Sequence, residues 1–181
     1  SGLLMPISAL PSPYGIGNLG AEAYRFVDFL EQSAQTYWQV LPIGPTGFGD
    51  SPYQSWSSMA GNPYFIDLDA FIEEGLLTKE EVDSFDYGSD DSVDYGLLYE
   101  NRKKILKISY QRYIERGETD PLFTFQEEQK AWLADFALYM TIKSNQGEKS
   151  WEDWENSLRL REEEAMKTFM EEHKEELLYH I

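Results

Sequence analysis

The feature that most constrains the fold is a short apolar run followed directly by a long loop, between residues 37 and 67. Residues 37–41 are rich in β-forming side chains, and Pro42 ends the run because proline has no N–H to donate to a sheet. Glycines and prolines throughout residues 44–62 exclude a helix or a long strand. The sequence therefore predicts a strand that leads into an ordered loop.

The composition of this loop is unusual, because flat aromatic rings alternate with short hydrogen-bonding groups. Its aromatic residues are Phe48, Tyr53 and Trp56, and its polar ones include Asp50, Ser51, Gln54, Ser55 and Asn62. A sugar presents a C–H face that packs on a ring and hydroxyls that need hydrogen bonds, so such a lining suits a small-molecule site. A loop folded over its own aromatic core has the same composition. Composition alone leaves both interpretations open.

Several sequence blocks point to one family. They are LMPISALPS at 4–12, YGIGNLG at 14–20, WQVLP at 38–42, GDSPYQS at 49–55, AGNPYFID at 60–67 and VDYG at 93–96. Together and in this order, they resemble the amino-terminal part of the 4-α-glucanotransferases, the amylomaltases and plant disproportionating enzymes of glycoside hydrolase family 77. The resemblance covers residues 1 to about 100, and the acidic remainder matches only as a helical stretch.

The resemblance implies roles for five residues. Tyr53 matches the tyrosine that stacks on the sugar ring just before the cleaved bond, and Asp50 and Ser51 accompany it in the motif. Phe48 stands where many members carry tyrosine in a second glucan-binding groove, and Tyr95 matches an aromatic of that groove. Phenylalanine keeps the ring face but has no hydroxyl, so stacking should survive without a hydrogen bond.

The first forty residues predict a strand, a helix and a strand. Residues 3–7 are a short apolar run that we expect to be buried, and residues 21–33 carry one apolar stripe, formed by Ala23, Phe26, Val27, Leu30 and Ala34. With the strand at 37–41 they form a βαβ unit with parallel strands. The predicted class is α/β. The resemblance implies that these are the first two strand-helix units of a (β/α)8 TIM barrel, where substrates bind at loops after the strands.

The chain after residue 68 changes to acidic helices. We expect residues 1–68 to be the start of the barrel with its substrate-binding loop at 44–62, and residues 69–181 to be a mainly α-helical insertion subdomain. Glycines predict helix ends near 75, 117 and 147, and the Thr78–Glu81 and Thr124–Glu127 pairs predict capping boxes. Residues 84–92 read as a polar loop. A stripe from Ala165 through His173 to Leu177 predicts one last helix whose apolar face is core.

No catalytic residue is predicted in this chain. Retaining glycosyl transfer needs two carboxyl groups about 5 Å apart, and Asp50 is the only acid in the aromatic loop, where capping a turn suits it better than attacking a sugar. The resemblance implies carboxylates from later barrel strands, which have no matching positions here. We therefore expect this chain to be an amino-terminal piece of a larger enzyme. No cofactor and no metal site is predicted, because phosphate-loop and zinc spacings are absent from the sequence.

Charge and cysteine content limit the partners. A net charge of −18 would repel nucleic acids and anionic membranes but leaves a neutral glucan unaffected. The expected partners are maltooligosaccharides and starch-type or glycogen-type α-glucans. The absence of cysteine fits the cytoplasm. Two interpretations remain: part of a cytoplasmic 4-α-glucanotransferase, or a non-catalytic glucan-binding or interaction module.

Overall fold

The computed structural model describes residues 1–47, 49–89 and 91–181. Within these residues the chain is an α/β protein with two two-stranded sheets and nine α-helices. It forms two compact units, Ser1–Gly117 and Glu118–Ile181. This division differs from the boundary expected after residue 68. That boundary separates a substrate-binding part from an insertion, and it stays a prediction.

The first sheet has the predicted parallel topology. Strand β1 (Gly2–Leu4) pairs in parallel with β2 (Tyr37–Gln39), and Leu3 lies opposite Trp38. Helix α1 (Ala21–Gln32) connects the two strands. The strand-helix-strand prediction is therefore confirmed, although both strands are shorter than the apolar runs that predicted them.

The core beside α1 covers this sheet only in part, because Trp38 is the one strand residue that is not exposed. The core beside α1 consists of Ile7, Leu10 and Ala23, with Met5, Phe26, Trp38 and Phe65 packed around it. The rings of Phe26 and Trp38 meet edge to face, 5.0 Å apart. The expectation that β1 is buried is wrong, since Leu3 is 40% and Leu4 55% exposed. Successive strand residues point to opposite faces, and Gly2, Leu3 and Leu4 are all exposed, so neither face of β1 is fully covered by the described residues.

The apolar stripe of α1 is narrower than predicted. Ala23 and Leu30 are buried, but Val27 is 49% exposed. Ala34 lies beyond the helix, with a positive φ of 54°. Its N–H donates to the carbonyl of Glu31 at 2.9 Å, and that of Gln35 donates to Leu30 at 2.8 Å. These two bonds form a Schellman motif, which needs a left-handed residue at this point.

Short helices and a hairpin complete the first unit. They are α2 (Leu68–Glu73), α3 (Lys79–Asp83), the antiparallel strands β3 (Gly88–Ser89) and β4 (Ser92–Val93), and α4 (Tyr95–Arg116). The capping box of Thr78 and Glu81 and the helix ends at Gly75 and Gly117, both left-handed, are confirmed. The hairpin replaces part of the predicted polar loop. Helix α4 begins at Tyr95 because the Asp94 side chain accepts a hydrogen bond from the Leu97 N–H at 3.0 Å.

The second unit is built from five helices among the described residues: α5 (Asp120–Glu128), α6 (Leu133–Asn145), α7 (Asn156–Arg159), α8 (Glu163–Glu172) and α9 (Lys174–Tyr179). Thr124 lies inside α5, so the predicted capping box there is wrong. The helix starts at Asp120 because Pro121 fits its first turn. The predicted last helix is two helices that meet at His173.

The core of the second unit contains Met166 and Phe169 of the predicted stripe, with Ala165 and Leu177 packed against it, whereas Met170 of the stripe is 46% exposed. The buried members of this core are Leu138, Ile142, Trp154, Leu158, Met166 and Phe169. Gly147 is left-handed just after α6, as predicted for a helix end. Among the described residues, no helix has the length and apolar character needed to cross a membrane.

Candidate functional site

The loop after β2 is held closed at its base. The N–H of Asn62 donates to the carbonyl of Ile43 at 2.8 Å, which joins the two ends of the loop. Further along, Thr46 and Ser55 form an antiparallel bridge, and the Gly47 N–H donates to Gln54 at 3.3 Å. The described part of the loop is therefore ordered by backbone hydrogen bonds, as the sequence predicts.

A tight turn at the tip carries three of the predicted site residues. The N–H of Asp50 donates to Gly47 at 3.1 Å, and that of Gln54 donates to Ser51 at 3.0 Å. The Ser51 hydroxyl also accepts from the N–H of Tyr53 at 3.4 Å. Asp50 has a positive φ of 54°, a conformation that costs free energy for a residue other than glycine. Asp50 thus has a turn-forming position, which agrees with its sequence context.

Tyr53 is the most exposed aromatic residue of the described loop. It is 73% exposed, whereas Trp56 is 38% exposed and its indole lies against Gly47, where an added Cβ would come within 3.0 Å of the ring nitrogen. A loop folded over its own aromatic core would cover Tyr53. The geometry therefore favours a surface on which the tyrosine face is available to a ligand. Phe48, the fourth predicted site residue in this loop, lies outside the described residues.

Tyr95, the remaining predicted residue, opens α4 and packs against Tyr64. Their ring centroids are 6.4 Å apart with the planes tilted by 52°. Burial raises the pKa of both phenols, that of Tyr64 to about 12, and the negative charge of Asp50 raises each further. Burial also raises the pKa of the Asp50 carboxyl. The charge of Asp50 therefore acts on the phenols of both Tyr64 and Tyr95. Tyr64 lies at the loop exit and contacts Tyr95 on the helix.

The exit of the loop, within the AGNPYFID block, is fixed by two side-chain caps. The side chain of Asn62 accepts from the N–H of Tyr64 at 2.9 Å and caps the 3-10 turn Pro63–Phe65. Two residues after this turn, the side chain of Asp67 caps α2 by accepting from the N–H of Asp69 at 3.3 Å. Sequence reasoning named neither cap, and it missed the contact of Tyr64 with Tyr95.

Arg102 is a second residue near the site that sequence reasoning missed. It is only 1% exposed, and its Nη2 donates to the carbonyl of Tyr64 at 3.0 Å and to that of Ile66. Burial lowers its pKa to about 10, and the charge of Asp67 acts in the opposite direction. The signal available in the sequence was its spacing from Tyr95, since residues two helical turns apart share a face.

The other candidates for chemistry are structural. His173 stacks on Phe169, with centroids 4.2 Å apart, and its Nδ1 lies 3.6 Å from a carboxylate oxygen of Glu176. This packed position is the one expected from its place on an apolar face. No group of three or more metal-ligating side chains comes together in the part of the chain that the structure describes.

Comparison with known proteins decides the family. The model of glycoside hydrolase family 77, described as 4-alpha-glucanotransferase, matches residues 5–181. The chain belongs to this family. Family 77 membership thus confirms the resemblance inferred from the motifs. The match to the family model also extends through the acidic helices that the motifs did not cover.

Individual members of family 77 match nearly the whole chain. The 4-alpha-glucanotransferase of Streptococcus pneumoniae is 44% identical over 99% of this chain, and that of Thermus thermophilus is 43% identical over 99%. The structure of amylomaltase from Streptococcus agalactiae in complex with acarbose superposes with a TM-score of 0.94 at 41% identity, covering 99% of this chain. The chain spans 36% of the length of each of these two curated relatives and 37% of that structure.

Proposed function

We propose that this chain is the amino-terminal part of a 4-α-glucanotransferase that moves α-1,4-glucan segments between maltooligosaccharides or starch-type or glycogen-type chains. The observation that carries the proposal is the family match over residues 5–181, together with the exposed Tyr53 in an ordered loop. The structural neighbour's ligand, acarbose, supports a sugar as the occupant of the site. A cytoplasmic location stays a prediction.

The proposed chemistry is a retaining double displacement. One carboxylate attacks the anomeric carbon while a carboxylic acid protonates the leaving oxygen. The carboxylate left by that acid then takes the proton of an incoming glucan hydroxyl, whose oxygen displaces the enzyme carboxylate from the anomeric carbon. Both carboxyl groups would come from the part of the enzyme outside this chain. In that scheme, Tyr53 stacks on the donor sugar beside the cleaved bond, with Asp50 and Ser51 shaping the turn that presents it. Phe48 and Tyr95 contribute to a second glucan groove.

The resemblance to family 77 also supports a proposed architecture. The parallel pair β1 and β2 with α1 across it would be the start of a TIM barrel, and the loop at 44–62 would leave the carboxyl end of its second strand. Residues 69–181 would form the acidic helical insertion. These assignments are supported by the parallel register and by the place of the loop after β2.

The test uses the complete enzyme, meaning the protein of about the relatives' length that contains this chain, incubated with maltotriose. A transferase yields glucose together with maltopentaose and longer products, in which each new glycosidic bond is α. Glucose and maltose without longer products would indicate hydrolysis and contradict the proposal. Binding of acarbose without any turnover would favour the non-catalytic glucan-binding module instead.

A further inference from the structure

The buried cation Arg102 contacts the segment at the exit of the loop, residues 64–66. Arg102 donates through Nη2 to the carbonyls of Tyr64 and Ile66. Its Nε and Nη1 are buried and, among residues 1–47, 49–89 and 91–181, have no hydrogen-bond partner. Burying a guanidinium with incomplete hydrogen bonding costs more than burying an apolar side chain of similar volume. Core filling alone would therefore be served better by an apolar residue.

Helix α4 contacts the loop exit at two points on one face. At its first turn the ring of Tyr95 packs against the ring of Tyr64. About two turns further along, Arg102 holds the backbone carbonyl of the same Tyr64. Ring and main chain of Tyr64 are thus both attached to α4, which limits how the 3-10 turn can shift or rotate.

The same turn is connected directly to the loop. Asn62 accepts the Tyr64 N–H through its side chain and donates its own N–H to Ile43 at the base of the loop. A displacement of Tyr64 would therefore be transmitted through Asn62 to the base of the loop. We infer that Arg102 is a positioning residue: it sets the spacing between the loop at 43–62 and Tyr95, and so the geometry of glucan binding.

This inference rests on the proposed function, and it predicts a particular kinetic pattern. Arg102 acts through Tyr64 and Ile66 at the exit of the proposed substrate-binding loop, so its loss should weaken substrate binding more than it slows the chemical step. Replacing it by methionine keeps much of its volume and removes the buried charge together with both hydrogen bonds.

The chain offers a matched control in Arg112 on the same helix. Its Nη1 donates to the carbonyl of Leu76 at 3.1 Å, and its guanidinium pairs with Glu81. Arg112 therefore also joins α4 to a backbone carbonyl, but at the segment between α2 and α3 rather than at the loop. An Arg112→Met variant reports the cost of losing such a tether without disturbing the site.

The experiment compares Arg102→Met, Arg102→Lys and Arg112→Met in the complete enzyme. With maltotriose, we expect Arg102→Met to raise KM about tenfold or more with kcat within about twofold, and Arg112→Met to leave KM unchanged. Arg102→Lys, with one compact charge in place of the fork, should give an intermediate KM. If Arg102→Met has a wild-type KM, the positioning role is overturned; if it does not fold, a wild-type KM in Arg102→Lys overturns it.

A second measurement needs no sugar and keeps the two proposals separable. Amide hydrogen exchange of peptides covering residues 43–66 should become faster in Arg102→Met than in the wild type, while Arg112→Met should not change it. Unchanged exchange in both variants contradicts the positioning role. An inactive wild-type enzyme with the expected exchange pattern would instead overturn the proposed function and leave the role of Arg102 supported.

Discussion

The ring of Tyr95 packs against that of Tyr64 at a centroid distance of 6.4 Å. This contact links the first residue of α4 to the exit of the loop, and each phenol has its pKa raised by burial and by the charge of Asp50. The residue that we propose for a second glucan groove is thus also part of the packing that holds the loop. Removing the Tyr95 ring therefore removes ring packing together with any glucan contact.

We expect Tyr95→Phe in the complete enzyme to retain its affinity for long maltooligosaccharides, because the ring face is kept. Tyr95→Ala removes the face and should weaken that affinity by about 1–3 kcal/mol. Titration calorimetry with a long maltooligosaccharide measures both. Equal affinity in the alanine variant and the wild type would remove Tyr95 from the proposed groove.

Tyr53→Ala should separate a sugar contact from a core position. A buried large aromatic cut to alanine costs about 3–5 kcal/mol of stability, but Tyr53 is 73% exposed, so Tm should change little. If the ring stacks on the reacting sugar, its loss should weaken transition-state binding by about 1–3 kcal/mol, and kcat/KM should fall accordingly.

The control for Tyr53 is Tyr24→Ala, since Tyr24 is also 73% exposed but lies on α1. Tm and kcat/KM on maltotriose are measured for both variants. A large loss of Tm in Tyr53→Ala with unchanged kcat/KM would place the ring in the core, and equal losses of kcat/KM in both variants would show no special role for the loop.

The 181-residue chain by itself should not release glucose from maltotriose. Ring stacking and positioning cannot form a glycosyl intermediate without the two carboxyl groups of the retaining mechanism. The assay follows glucose with a preparation whose intact mass verifies the chain, beside the complete enzyme as positive control. Glucose formation by the verified chain would show that catalytic groups are present within it.

Ala34→Gly should stabilise the first unit. Ala34 occupies the left-handed position of the Schellman motif after α1, at φ 54°, where glycine lacks the Cβ penalty. The expected gain is about 1 kcal/mol, seen as a rise of Tm. The reverse exchange is the control: Gly117→Ala, at φ 72° after α4, should lower Tm, and a lower Tm for Ala34→Gly would contradict the argument.

The Glu81 carboxyl should make stability depend on acid pH. Hydrogen bonds from Arg112 and from the Thr78 N–H lower its pKa from 4.5 to about 2. Because the folded state binds this proton less readily than the unfolded state, the stabilisation is complete above pH 4.5 and is lost as pH falls toward 2. Glu81→Gln should therefore show a shallower fall of Tm over this range.

Glutamine is a suitable replacement for Glu81 because it can still complete the capping box with Thr78. The matched control is Glu80→Gln, one residue earlier on the exposed side of α3. An acid profile of Glu81→Gln that overlays the wild type would show that the pair with Arg112 contributes no measurable pH dependence. About a third of each partner's side chain is exposed, so salt should reduce the effect.

Local sequence was sufficient for features whose hydrogen bonds close within a few residues. The capping box at Thr78, the left-handed glycines 75, 117 and 147, the loop after β2 and its turn at Asp50 all follow from the conformational limits of the residues concerned. The motif blocks were likewise sufficient to identify the family, because few other folds would carry these blocks in this order.

Tertiary structure decided what depends on residues distant in the chain. Val27 continues the stripe of α1 but is exposed because no described element covers it, and Thr124 has a capping pattern that Pro121 overrides. The burial of Arg102 and the contact between Tyr64 and Tyr95 arise only when α4 packs against the loop exit. Periodicity predicts which side of a helix is apolar, but the burial of a polar residue depends on which carbonyls and rings the fold places beside it.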